Sequence, residues 1–322
     1  MQVENVIYRE QINTKTFSGS LICPASETGT LHTIIMLPGS SGSVSEKIAE
    51  HIASYGYSVL ALKYSKANKQ PSHLEGVSLE SLSDAILWLK EKALIKAVTI
   101  TLLGYSRGGE LALLFGSQFP KLINGIIAYV PSSFVCGGFP YPNKPAWLLK
   151  NKPVAPFLKG LMSNEESLTE KEDLQLATEK GIIPHHSNDA QDPFVSAELF
   201  LVREKALQNS LSAAIRVENI TCPILIISGG KDKIWPSSRY AQQISERLEN
   251  YESPIERKFL DFPEAGHGIF SPYDGPIHHA VGGFWCAQGG TPDGNKNANQ
   301  AAWMETFAFL ERVKERFLTN PK

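Results

Sequence analysis

The chain has 322 residues with 31 Lys+Arg against 33 Asp+Glu, a formal charge of −2, and is 42% hydrophobic and 20% charged. This is globular composition, suited to one large α/β domain or two small ones, and it offers no general attraction to nucleic acid or to an anionic membrane. Cys23, Cys136, Cys222 and Cys286 form no C-x-x-C pair, which argues against a zinc or disulfide framework. The first residues, "MQVENVIYREQ", lack the apolar region of a signal peptide, and no apolar run reaches spanning length. The expectation is a cytoplasmic protein with no membrane insertion and no nucleic-acid partner.

In chain order, "ENVIYRE" alternates apolar and polar residues and "FSGSLICP" does so more weakly, as paired strands do. "HTIIMLP" is a short apolar run closed by a Pro-Gly turn, hence a buried strand. "SVSEKIAEHIASYG" places Val44, Ile48, Ile52 and Tyr55 at helical spacing and stops at Gly56. Strand "YSVLALKY", amphipathic helix "SLESLSDAILWLKEKA" and strand "AVTITLL" follow. A turn at Ser106 then opens a helix to about Gln118, and strand "INGIIAYV" comes next. This order predicts an α/β fold with a mostly parallel sheet and helices on both faces. From Pro131 to about Ser196 the alternation breaks into a Pro- and aromatic-rich stretch and a polar helical piece, "NEESLTEKEDLQLATEK". An irregular insertion of this length is expected to form a lid. Helix "AELFLVREKALQNSLSAA", strand "CPILIISGG", helix "SSRYAQQISERLEN" and strand "IERKFLDFP" resume the pattern. A Gly/Pro-rich loop, "SPYDGPIHHAVGGFWCAQGGTPDGNKN", precedes the closing helix "AAWMETFAFLERVKERF".

Gly104-Tyr105-Ser106-Arg107-Gly108 fits the nucleophile-elbow pattern G-x-S-x-G, and its place between a predicted strand and helix is what makes the match specific. The glycines permit a turn too tight for side chains. The serine is thereby lifted above the strand ends, where the helix N-terminus favours a developing oxyanion. A serine hydroxyl needs a base to become a nucleophile. The pattern asks for an acid and then a histidine further along, and Asp232 and His267 each follow a predicted strand. Both thus fall on the sheet edge where Ser106 emerges. Asp261 is a competing acid, but it lies within a strand. Oxyanion donors are expected from the backbone of Arg107 and from the "LPGSSGS" turn, Ser40 first and Ser41 next. His185-His186 and His278-His279 have no Cys or carboxylate at ligand spacing, so no metal site is expected. "PGSSGSVSEK" lacks the ending of a P-loop, and no dinucleotide fingerprint is present. Glu110, one turn beyond Ser106, either touches the site or packs.

Together these stretches resemble the acyl-CoA thioesterase / bile acid-CoA:amino acid N-acyltransferase family. "GYSRGGELALL" is similar to its G-x-S-K-G-x-E-L elbow, and "GGKDKIWPSSRYAQQISERL" to its acid loop, with Asp232 and Trp235 in register. "FPEAGHGIFSPYDGPIHHAVGG" resembles its histidine loop, and "GGTPDGNKNANQAAWMETFAFL" its closing loop and helix. The resemblance implies an α/β-hydrolase fold. Arg107 stands where lysine is usual, and only about thirty residues precede the first core strand, where animal members carry a β-sandwich domain. The family's acyltransferase branch uses a cysteine nucleophile, so Ser106 implies transfer to water.

The resulting expectation is a single α/β-hydrolase domain over residues 1–322, with a lid at 131–196, cleaving an acyl thioester or ester through Ser106, His267 and Asp232. The substrate expected first is an acyl-CoA. The alternatives are a carboxylesterase or dienelactone-hydrolase-like enzyme on small esters, and a non-catalytic ligand-binding protein on the same fold. Phe134, Phe139, Tyr141 and Trp147 of the lid, with Trp235, are expected to contact substrate. Arg107, Lys144, Lys150, Lys152, Lys231 and Lys233 are candidates to meet the phosphates of CoA. No cofactor is called for, and the sequence leaves the oligomeric state open.

Overall fold

The structure, a computed structural model, describes residues 7–24, 32–63, 74–92, 95, 97–139, 141, 143–154, 193, 195–206, 213–272, 278–281 and 284–319. In chain order the strands and helices are β1 (Ile7–Asn13), β2 (Ser18–Pro24), β3 (His32–Leu37), α1 (Glu46–Ala53), β4 (Ser58–Lys63), β5 (Val77–Ser78), α2 (Glu80–Glu91), β6 (Thr99–Tyr105), α3 (Arg107–Gln118) and β7 (Gly125–Tyr129). They continue with β8 (Trp147–Leu149), β9 (Lys152–Pro153), α4 (Ala197–Ala206), β10 (Ile224–Gly229), α5 (Ser237–Asn250), β11 (Arg257–Phe262), β12 (His278–Val281), β13 (Phe284–Ala287) and α6 (Pro292–Thr319).

Eight strands make the central sheet, in the order β1-β2-β4-β3-β6-β7-β10-β11. The β1–β2 and β2–β4 pairs are antiparallel and the remaining pairs are parallel. The inner parallel strands are largely apolar on both faces, because helices cover both, whereas the edge strand β11 carries exposed Lys258 and Asp261. Successive residues therefore feed two different cores. Ile35, Leu37, Leu102, Ile126 and Ile226 pack with Leu82 and Ile86 of α2, Leu111 and Phe115 of α3, and Ile244 of α5. Ile34, Met36, Leu103, Ile127 and Ile227 pack with Ile48 and Ile52 of α1 and with Ala302 and Leu310 of α6. This is the α/β-hydrolase arrangement that the sequence predicts. Among the described residues no helix is long and apolar enough to cross a membrane.

Several elements differ from the sequence-based expectation, among them the short strands β5, β8 and β9. The Gly/Pro-rich loop contains the antiparallel strand pair β12–β13. The closing helix starts at Pro292, well before "AAWMETF". Its start is capped: Thr291 Oγ1 accepts the Gly294 N–H at 3.0 Å, and proline stands at the first helical position, where no amide donor is needed. Of the predicted lid, residues 131–139, 141 and 143–154 are described, and β8 and β9 join β5 in a small three-stranded sheet. The polar helical piece, His185 and His186 lie outside the described residues.

Candidate active site

β6 ends at Tyr105 and α3 begins at Arg107, so the whole reversal falls on Ser106, at φ 56 and ψ −117. A side chain in that region is strained. The glycines on either side make the turn possible. A Cβ on Gly104 would lie 2.0 Å from Gly108 O, and one on Gly108 would lie 2.2 Å from Leu37 O. The Ser106 N–H donates to Tyr129 O at 2.9 Å, pinning the turn to the end of β7.

Asp232 and His267 approach from the loops after β10 and β11. Asp232 Oδ1 accepts the backbone N–H groups of Ile234 (2.9 Å) and Trp235 (3.2 Å). Its Oδ2 lies 2.8 Å from His267 Nδ1, and His267 Nε2 lies 2.9 Å from Ser106 Oγ. All three side chains are buried. A carboxylate on one side of the imidazole selects the tautomer with the proton on Nδ1, which leaves Nε2 to accept from the hydroxyl. Asp261 is exposed on β11, where its Oδ1 accepts from Ser228 Oγ at 2.7 Å.

A strap from the predicted loop holds these two loops together. Gln288 O accepts the His267 N–H at 2.7 Å, and Gly289 and Gly290 bridge to Asp232 and Ala265. Asn295, in the first turns of α6, accepts the Gly266 N–H on Oδ1 at 2.8 Å and donates from Nδ2 to Gly289 O at 3.1 Å. Two aromatic rings meet the imidazole, Tyr105 at 5.3 Å and Trp235 at 5.6 Å between centroids. Tyr105 Oη donates to His267 O at 3.0 Å, and burial pushes its hydroxyl pKa up, so it stays a donor.

Beside Ser106 lies a cavity of about 290 Å³. Its apolar wall includes Leu37, Val44, Ile48, Tyr105, Ile234 and Phe270, and its polar lining includes Ser40, Ser41 and Gln288. The turn bearing Ser40 and Ser41 follows β3 and presses on the elbow: a Cβ on Gly39 would lie 3.6 Å from Ser106 Cβ. Across it, Arg107 is the first residue of α3, at the end of the helix where amide N–H groups lack intrahelical acceptors. Val44 reaches the cavity because α1 starts only at Glu46. Tyr105 and Phe270, stacked at 5.0 Å between centroids, were not among the sequence candidates. Their signal is adjacency alone, in "GYS" and "HGIF".

The aromatic residues expected to contact substrate lie elsewhere: none of Phe134, Phe139, Tyr141, Trp147 and Trp235 lines this cavity. Phe139 and Trp147 are in the core beside α2 and α3, and Phe134 and Trp235 pack with Phe200 and Tyr240. Tyr141 sits under the Lys144 ammonium, 5.0 Å from its ring centroid. The cause is a buried polar clamp that draws this segment along α3. Glu110 Oε1 accepts the Cys136 N–H (2.9 Å) and the Trp147 indole N–H (2.7 Å). Arg107 donates to Cys136 O (2.9 Å) and Gly137 O (2.8 Å), and its Nε lies 3.2 Å from Glu110 Oε2 as an ion pair without an aligned hydrogen bond. Burial pushes the Glu110 carboxyl up, opposed by the Arg107 charge and these hydrogen bonds. Glu110 therefore packs, and the buried Arg107 side chain is turned away from any phosphate in solvent. Lys144 pairs with Glu75 (3.1 Å) and Lys231 with Glu264 (2.5 Å), and Lys150, Lys152 and Lys233 are exposed. His278 and His279 lie on β12.

The family model described as "BAAT / Acyl-CoA thioester hydrolase C terminal" matches residues 77–315. Human acyl-coenzyme A thioesterase 6 is 28% identical over 316 residues, covering 95% of this chain and 65% of that protein. Mouse acyl-coenzyme A thioesterase 2, mitochondrial, is 29% identical over 297 residues, covering 89% and 56%. The chain thus spans about 56–65% of the length of these two relatives. Among solved structures, a candidate dienelactone hydrolase of Klebsiella pneumoniae aligns over 95% of this chain and 99% of its own, with a TM-score of 0.55 at 13% identity, a likeness of fold. With the elbow and the acid and histidine loops inside the matched span, the chain belongs to the BAAT / acyl-CoA thioester hydrolase C-terminal family.

Proposed function

We propose that the protein is a serine hydrolase that cleaves acyl-CoA thioesters, built as one domain. The reading is carried by the hydrogen-bond chain from Asp232 through His267 to Ser106, at 2.8 and 2.9 Å, at the edge of an apolar cavity. Ser106 Oγ attacks the thioester carbonyl carbon while His267 Nε2 takes its proton. Asp232 holds the ring and stabilises its protonated form. The backbone N–H groups of Arg107 and of Ser40, with Ser41 as the alternative, receive the oxyanion. The protonated His267 assists departure of the thiol, and the acyl group remains on Ser106. Water, deprotonated by the same nitrogen, attacks the acyl carbon, and His267 returns that proton to Ser106 Oγ as the acyl–oxygen bond breaks and the acid leaves. The relatives named as acyl-coenzyme A thioesterases support the choice of substrate.

A second reading, a carboxylesterase on small uncharged esters, is favoured by one observation: the described residues lining the cavity include no Lys or Arg. Steady-state hydrolysis of one acyl-chain series, offered both as CoA thioesters and as p-nitrophenyl esters, separates the two. For a thioesterase, kcat/KM is higher for the CoA series and falls with added salt. Equal or better turnover of the neutral esters, insensitive to salt, establishes the carboxylesterase. Failure of Ser106 to react with a fluorophosphonate probe would instead point to a ligand-binding protein on this fold.

A further inference from the structure

β7 leads into two consecutive carbonyls that serve different halves of the site. Tyr129 O accepts the Ser106 N–H at 2.9 Å and holds the turn that carries the hydroxyl. Val130 O accepts the indole N–H of Trp235 at 3.0 Å. Trp235 reaches the other half. Its backbone N–H donates to Asp232 Oδ1 at 3.2 Å, and its ring meets the His267 imidazole at 5.6 Å between centroids and 79° between planes. Trp235 is 2% exposed and does not line the cavity, so it is no wall for substrate there.

Val130 shows how firmly this anchor is held. It sits at φ 41 and is fully buried. A β-branched side chain is disfavoured in that region, and such strain persists only where the surroundings over-determine it. Hydrogen bonds do so on both sides of the residue. Its N–H donates to Ile227 O at 2.6 Å, and its carbonyl receives the indole. The strained residue thus joins β7, β10 and the acid loop at one point.

We propose that Trp235 is a positioning residue for His267, anchored on the strained end of β7 so that Ser106 and the His267–Asp232 pair hang from adjacent carbonyls and keep their spacing. This rests on the reading that Ser106, His267 and Asp232 carry the chemistry. Asp232 fixes Nδ1 but leaves the imidazole free to tilt about that bond. The near-perpendicular indole and the tilted Tyr105 ring both meet the imidazole and restrict that tilt. A misplacement of about 1 Å lowers turnover about 100-fold, so a ring contact of this kind acts on kcat.

Trp235→Phe keeps a ring beside His267 and removes the N–H anchor, whereas Trp235→Leu removes both. The test measures kcat and KM on the best acyl ester or thioester, with the labelling rate of Ser106 by a small fluorophosphonate that does not fill an acyl site. Thermal melts confirm folding, and Trp235→Phe decides the matter if Trp235→Leu does not fold. The expected result is kcat lowered about 10-fold by Trp235→Phe and about 100-fold by Trp235→Leu. KM stays within about 2-fold, and labelling slows by the same factors as kcat. A rise in KM with kcat and labelling unchanged overturns the proposal in favour of a substrate contact. Unchanged kinetics in both variants reduce Trp235 to core packing. Absence of Ser106 labelling in the unsubstituted protein overturns the proposed function and this inference with it, whereas labelling indifferent to both substitutions overturns the inference alone.

Discussion

At Ser106 a strained φ of 56 puts a buried hydroxyl at the one point where β6 turns into α3, within 2.9 Å of His267 Nε2. Under the proposed mechanism the three polar side chains act as a unit, so their removal is not additive. Ser106→Ala and His267→Ala should each lower kcat by about 10⁴- to 10⁶-fold, and the double substitution little further. Asp232→Asn should cost somewhat less. Asp261→Asn, on an exposed carboxylate bonded to Ser228, should leave kcat near its normal value. Kinetics on one substrate for all five variants check this. A larger loss in Asp261→Asn than in Asp232→Asn would falsify the choice of acid.

On the scale of the elements, α3 and α6 do more than cover the sheet. The first turn of α3 carries the Arg107–Glu110 pair, which takes up backbone groups of Cys136 and Gly137 and the Trp147 indole. Glu110→Ala would leave the Arg107 guanidinium buried without its counter-charge. The expected loss is about 3–5 kcal/mol of stability, far more than for an exposed pair such as Lys144–Glu75. Urea denaturation of Glu110→Ala beside Glu75→Ala measures the difference, and similar midpoints would mean that the clamp contributes no more than a surface contact. The start of α6 is tied to the site through Asn295. Thr291→Ala removes the cap on Gly294 N and should destabilise by about 1 kcal/mol, with Thr291→Ser restoring most of it. A melt of Thr291→Ala that overlays the unsubstituted protein would show that this helix end is held by packing alone.

Across the whole molecule, the two cores meet at a sheet that is polar at only a few interior points, and His32 is one of them. It lies on β3 with Nδ1 2.8 Å from Thr99 Oγ1 and Nε2 3.1 Å from Thr101 Oγ1 of β6. Burial, reinforced by the Lys314 charge, lowers its pKa from 6.5 to about 4, with Glu311 opposing. The unfolded chain therefore binds a proton near pH 6.5 that the folded chain refuses until about pH 4. Stability from this group is complete above pH 6.5, falls as pH drops through that window, and levels off below it. The span corresponds to about 3 kcal/mol. Unfolding free energies from pH 7.5 to 4 should fall more steeply in the unsubstituted protein than in His32→Gln. Parallel curves would show that His32 titrates alike in both states.

The sequence by itself determined the order of strands and helices, because strand and helix periods are properties of short stretches. It also determined the glycine-flanked turn at Ser106, since a turn that excludes Cβ atoms can be written only with glycine. The order Ser106, Asp232, His267, each after a strand, was legible for the same local reason. The tertiary structure decided what depends on contacts between distant stretches. It gave "FWCAQGG" its place as a strand paired with β12 and a strap across two loops, which no local period encodes. It set Phe139 and Trp147 in the core and not over Ser106, because Glu110 and Arg107 offered buried partners to the chain that follows β7. It made the cavity wall from Val44, Tyr105 and Phe270, residues separated by more than two hundred positions. Apolar side chains carry no address in sequence, and only the packed sheet edge assigns them one.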